Sequence, residues 1–277
     1  MKRENNFYLK LWGQYKYDFT NELANIIKWL CGLMIYIMFD CILFSINTLN
    51  MEYPGVEYMG KRCYLWKILG GELFFETGSK DIKVCVEYLV IGTVLIFIIT
   101  GYLKKDLKEN GYRNILYASS KNIWLISKYL LSLTKAIFFS LICLLTIYFN
   151  ILLEGTNFFK DNKDVFTVIL GYGAEYIKYE KVALIIFFMS ALAFSLIYTA
   201  LEFLLEPLYV FILGIIYWIC SYFVNSIFFA ADNFMLVRVA YKIESGISKE
   251  MIWLPMWLLA FGLVLISFFT IRKKDIM

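Results

Sequence analysis

The sequence predicts an all-α integral membrane protein: six transmembrane helices, an N-terminal interfacial helix and a short polar surface helix between spans two and three. Three observations predict it. Apolar residues fill 61% of the 277 positions and aromatic residues 19%, against roughly 45–50% apolar in soluble domains. Three uncharged runs, Val182 to Leu201, Pro207 to Ala231 and Met251 to Ile271, approach or exceed the roughly 20 residues a spanning helix needs. Three further runs are interrupted only by one acid or begin beside one charge.

In chain order, residues 8–27 interleave Leu9, Leu11, Trp12, Tyr15 and Phe19 with Lys10, Lys16, Asp18 and Glu22. Aromatic rings favour the headgroup region and lysines snorkel to water, so this segment is expected to lie along the membrane surface before turning inward. Span one covers 29–46 and contains Asp40. Span two covers 84–103 and crosses Glu87, and span three covers 136–153, just after Lys135. Spans four, five and six cover 182–201, 207–231 and 251–271. Glu202 to Glu206 joins spans four and five, with Pro207 suited to a first helical turn, so those two spans are antiparallel neighbours. Connections 47–83, 154–181 and 232–250 are too short for domains and are expected to cap the outer surface. No internal repeat or flexible linker interrupts the chain, which reads as one membrane domain over 1–277. The first apolar run starts only at Trp29, carries Asp40 and lacks a small-residue cleavage site, so it is expected to stay as a span rather than act as a leader.

Cytoplasmic loops retain excess Lys and Arg. With both termini cytoplasmic, Lys and Arg outnumber Asp and Glu in the inner segments, and the tail Arg272-Lys273-Lys274 adds a strong retention signal. The expected location is the plasma membrane, multi-pass. The net charge of +4 is then a topology signal rather than a nucleic-acid patch. Cys31, Cys41, Cys63, Cys85, Cys143 and Cys220 form no CxxC pair and read as small apolar fillers; only Cys63 and Cys85 fall in outer positions where pairing is open.

The chain has no histidine, which removes the usual general base and the commonest metal ligand. No intramembrane acid pair has a recognisable active-site spacing, so an enzyme, a bound metal or a bound cofactor is not expected. Gly55 to Arg62 fits the nucleotide-binding GxxxxGK pattern through Lys61, but Arg62 replaces the magnesium-binding Ser or Thr and no apolar strand precedes it. Charge within a span is costly, so Asp40 either faces a transport path or pairs with a neighbouring Tyr, Ser or Lys. Glu87, Lys135, Glu202 and Glu206 lie near span ends, where snorkelling explains them.

The most organised polar stretch lies within 104–128. Gly111 breaks a first helical pattern, Tyr112, Ile115 and Leu116 share one helical face, and Ser119 or Ser120 is suited to cap the next helix. Glu109-Asn110-Gly111, Ile115-Leu116, Ala118-Ser119-Ser120-Lys121 and Ser127-Lys128 together resemble the loop between spans two and three of the type 2 family of ATP-binding-cassette exporter permeases. Tyr112, Ala118 and Ser127 stand where that family frequently has Thr, Pro and Gly.

The resemblance implies that Glu109, Gly111, Tyr112, Ile115, Leu116, Ser119, Ser120 and Lys121 form a coupling helix docking on a separate ATPase subunit that holds ATP and magnesium. It implies a particle of two permease chains, identical or paralogous, and two ATPase chains, exporting a hydrophobic or amphipathic solute such as an antimicrobial peptide or lipid-like molecule. The competing expectation is a non-transporting sensor or scaffold with ligand-binding outer loops.

Overall fold

A computed structural model describes residues 2–50, 61–73, 85–108, 120–153, 170–171, 173–224, 226 and 229–273. Among these the chain is helical throughout, with no strand. The helices are α1 (Lys2–Asn50), α2 (Lys61–Leu69), α3 (Val86–Ile99), α4 (Lys121–Leu153), α5 (Glu180–Leu204), α6 (Pro207–Phe223), α7 (Leu236–Glu244) and α8 (Lys249–Lys273). Residues 102–108 are also helical, and 3-10 turns span Ala174–Tyr179 and Ala230–Phe234. Among the described residues, five helical stretches are long and apolar enough to cross a membrane: those of α1, of α3 with 102–108, of α4, of α5 and of α8. The chain is a membrane protein.

α1 is a single unbroken helix, so the predicted separate interfacial helix over 8–27 and span from 29 are one element. A period-four stripe explains this. Gln14, Asp18, Glu22, Ile26, Leu30, Leu33, Ile37 and Cys41 lie on one side of the helix, and all are buried. The first three are polar and the rest apolar, but the same face is covered throughout. At 1.5 Å per residue α1 is about 73 Å long and α4 about 50 Å, both well beyond a hydrocarbon core of about 30 Å. The two run parallel: Asp18 meets Lys128, Glu22 meets Lys135, and Cys41 and Ile42 lie with Asn150 and Leu153 around one cavity. The end of the bundle where both helices begin is called proximal below, and the other end distal.

α5 is the central helix, packed against α4 and α8 and touching α3 and α6. Its buried positions include Ala183, Ser190, Ala191, Ala193, Ser195, Thr199 and Ala200, small residues that let helix backbones approach closely in an apolar solvent. α6 follows after only Leu205 and Glu206 and opens on Pro207, as the sequence predicts for two antiparallel neighbours. Trp29, Phe97 and Phe211 stack in series, with centroids 4.6 and 4.5 Å apart, and tie α1, α3 and α6 together.

Two predicted spans differ. Span two breaks at Thr100 and Gly101, where Gly101 takes φ +101°, a left-handed geometry that favours glycine. Span five is expected to reach residue 231 but stops at Phe223, giving a helix of only about 25 Å. Its last carbonyls already have partners: buried Arg238 donates Nη1 to the Ser221 carbonyl at 3.0 Å and Nη2 to that of Tyr222 at 2.7 Å, and Nε to that of Glu72 at 2.8 Å. A cation at the negative end of a helix dipole is favourable there. Ser221 Oγ further donates to the Phe229 carbonyl and accepts from Asp232 N–H, turning the chain back on itself.

The connections expected to cap the outer surface are partly core. In α2, Cys63, Tyr64, Leu65, Trp66, Ile68 and Leu69 are buried, and the Val237 N–H donates to the Gly70 carbonyl at 3.0 Å. Lys61 and Arg62, from the GxxxxGK-like stretch, start α2, and Arg62 Nε bonds Glu180 at 3.0 Å; Gly55 to Gly60 lie outside the described residues. None of the six cysteines is in a disulfide, and Cys63 and Cys85 are both buried.

Arg238→Met is expected to destabilise the fold by about 2–3 kcal/mol, because two buried carbonyls and one part-buried carbonyl lose a charged donor. Arg238→Lys should recover little of this, since an ammonium lacks the planar fork. Thermal unfolding in mild detergent reads both; a wild-type midpoint for Arg238→Met would show the carbonyls satisfied some other way.

Candidate functional site

The proximal end holds a buried cluster of charged side chains drawn from four segments. α1 supplies Asp18 and Glu22, residues 102–108 supply Tyr102 and Asp106, α4 supplies Lys128 and Lys135, and α5 supplies Glu202. All are at most 8% exposed. Lys128 and Lys135 precede the uncharged run that starts at Ala136, so the cluster sits at the margin of the hydrocarbon zone.

Lys128 is the hub. Its Nζ lies 2.7 Å from Asp18 Oδ1 and 2.6 Å from Asp106 Oδ2, bridging α1 to residues 102–108. The ammonium also sits 4.4 Å from the centroid of the Tyr102 ring and 5.2 Å from that of Trp124, near the faces where an aromatic quadrupole attracts a cation. Asp18 is the best-supplied acceptor: it also takes bonds from Tyr102 O–H at 2.9 Å, Gln14 Nε2 at 3.0 Å and Ser127 O–H. Asp106 accepts from the Trp124 indole at 2.9 Å. One turn further along α1 and two along α4, Lys135 Nζ bonds Glu22 Oε2 at 2.9 Å. Glu202 accepts the Lys104 backbone N–H at 3.1 Å, at the start of the 102–108 helix, where a carboxylate suits the helix dipole.

A small cavity of about 10 Å³ is lined by Tyr102, Lys128, Lys135, Ser132, Thr199 and Glu202 among others, near the lower limit for one water molecule. Beside the cluster, Lys104 and Lys108 lie 3.7 and 3.4 Å from the Glu206 carboxylate. The Lys108 hydrogen bond, with the Lys104 charge, holds the Glu206 carboxyl below its usual range.

Buried charges at such a place cannot be left single. Removing one partner of a buried pair typically costs roughly 3–5 kcal/mol, whereas replacing the whole pair by apolar groups is often neutral. The cluster therefore joins elements rigidly more than it stabilises them. Residues 102–108 and the first turns of α4 are locked to one another through Asp106, Trp124 and Lys128, and both are locked to α1 through Asp18.

Of the residues singled out in the sequence, Glu109, Gly111, Tyr112, Ile115, Leu116 and Ser119 lie outside the described residues. Ser120 and Lys121 are described: Ser120 Oγ accepts the Ile123 N–H at 3.1 Å and caps α4. Asp40 lies at the distal end, its Oδ2 3.7 Å from Lys67 Nζ, which also pairs with Glu87. Lys135 and Glu202 do not snorkel as expected; both point inward, to Glu22 and to the start of 102–108. Sequence reasoning had Asp18 and Glu22 on a surface helix and missed their role. The signal was there, because Gln14, Asp18 and Glu22 continue at i+4 spacing the apolar stripe that begins at Ile26, and Lys128 and Lys135 stand one heptad apart on α4.

Among the described residues, no group of His, Cys, Asp and Glu could hold a metal ion. No family model, curated protein or solved structure matches the chain.

Proposed function

We propose that the chain is the membrane-spanning permease subunit of an ATP-binding-cassette exporter. Residues 104–128 couple it to a separate ATPase, and both termini are on the cytoplasmic side of the plasma membrane. α6, although short, is the fifth of six spans, and two such chains join two ATPase chains.

The observation that carries this reading is the linkage around Lys128. The segment resembling a coupling helix, Glu109 to Lys121, emerges from 102–108 and returns into α4. Those two flanks are pinned together, and to α1 and α5, by buried ion pairs and hydrogen bonds. A push on that segment would move four elements together instead of being absorbed in a soft loop, which is what conversion of ATPase closure into altered access requires. A ligand-sensing scaffold has no need of such a strut at that end.

The test is recovery of partners. The tagged chain, purified in mild detergent from its native host, should bring down an ABC ATPase in stoichiometric amount by mass spectrometry. Leu116→Asp should lose the ATPase while the permease still inserts and folds, and Gly111→Val should weaken it. A well-folded chain that recovers no ATPase would overturn the permease reading in favour of the sensor or scaffold.

A further inference from the structure

A recess of about 860 Å³ lies on the flank of the bundle, between α6 and α8 and over α5. Its floor is Phe194 and Tyr198 of α5, with Gly214 of α6, where a Cβ would come within 3.2 Å of the Tyr198 ring. Its walls include Ile216 of α6 and Leu259 of α8, which are 51% and 53% exposed, so the recess opens outward between two exposed apolar faces. Both walls belong to runs without a charged residue, and no charged residue lines the recess.

The distal end is closed. After α6 stops at Phe223 the chain folds back: Ala230 N–H donates to the Tyr217 hydroxyl at 2.9 Å, and Phe229 packs on the Tyr217 ring at 5.6 Å between centroids. Phe229 and Ala230 both line the recess. A dead end of this kind obstructs a neighbouring helix running the full depth of the bilayer, but it suits the free end of a hydrocarbon chain. The volume is that of an ordinary ligand site, and the surrounding solvent is itself made of hydrocarbon chains.

We infer that this recess is a lipid site, holding an acyl chain of a bilayer phospholipid with its methyl end beneath Phe229. Inside the bilayer the chain exchanges one apolar surrounding for another, so its hold comes from close packing rather than from escape from water. With no charged group lining the recess, binding follows the chain and ignores the headgroup. The inference is independent of the permease reading, because bound phospholipid on the purified chain is read without any ATPase.

The test fills the recess from its exposed walls. The full chain is reconstituted with mixed phosphatidylcholine and phosphatidylglycerol, re-extracted in mild detergent, washed, and examined by native mass spectrometry. Wild type should retain a phospholipid of either headgroup, and so should Leu265→Trp, which enlarges a lipid-facing residue of α8 outside the recess. Ile216→Trp with Leu259→Trp should retain it at roughly tenfold lower occupancy, while eluting as a folded species. Equal retention in all three proteins, no retention by wild type, or retention governed by headgroup charge would each overturn the proposal. So would loss of a second copy of this chain, rather than of lipid, in the filled variant; that result would assign the recess to self-association.

Discussion

Lys128→Met is expected to cost roughly 3–5 kcal/mol of stability, because it leaves the Asp18 and Asp106 carboxylates facing a buried space without their shared cation. The methionine fills much of the volume, so packing loss is a small part of the effect. Two further variants separate charge from shape. Asp18→Asn with Asp106→Asn in the Lys128→Met background removes every formal charge of the triad and should recover most of the lost stability, since a neutral replacement of a whole buried cluster is often harmless. Lys128→Arg should recover less, because the guanidinium must fit between two carboxylates already 2.7 and 2.6 Å from an ammonium. The readout is the thermal midpoint of the monodisperse species in detergent. Added salt should move none of these midpoints much, because the cluster is shielded from bulk ions. A wild-type midpoint for Lys128→Met would mean that the carboxylates are satisfied elsewhere and that the hub is dispensable.

The same cluster shows how far the sequence could be read. Hydrophobic run length located the helices well, because a bilayer imposes one length on every uncharged span. The ends were less legible. α1 continues through Asp18 and Glu22 because Lys128 and Lys135 wait on a helix more than 100 positions away; the i+4 spacing of Gln14, Asp18 and Glu22 marks the covered face, but only the fold shows which cations cover it. The early stop of α6 has the same origin: Val224 to Ala231 carries no charge and could have continued the span, but Arg238 takes the Ser221 and Tyr222 carbonyls and Ser221 turns the chain back. Residue type gave hydrophobicity; it did not give the long-range donor that decides where a helix ends. The lipid recess was illegible for a different reason, since it depends on how α6 and α8 diverge over α5, and spacing along one helix says nothing of that.

On the proposed permease reading, cutting the tie between the two flanks of 109–119 should separate ATPase binding from transport. Asp106→Asn with Trp124→Phe removes the carboxylate charge and the indole N–H that bind 102–108 to the first turns of α4, and leaves Lys128 its bond to Asp18. Neither substituted position lies within Glu109 to Ser119, so the ATPase should still copurify with the double variant in wild-type amount. Substrate-stimulated ATP hydrolysis and transport should fall by roughly tenfold, the scale of a coupling free energy between one and two kcal/mol. Lys105→Gln, an exposed change on the same short helix, serves as the control and should leave both rates unaltered. The two measurements together discriminate three mechanisms. Loss of the ATPase itself would mean that the pinned flanks shape the docking surface. Retained ATPase with retained stimulation would mean that force reaches the spans by another route, and the strut reading of Lys128 would fall. Retained ATPase with lost stimulation is the expected result, because a lever that still engages its motor but yields at its base turns ATPase closure into local bending of 102–108 instead of movement of α1, α4 and α5.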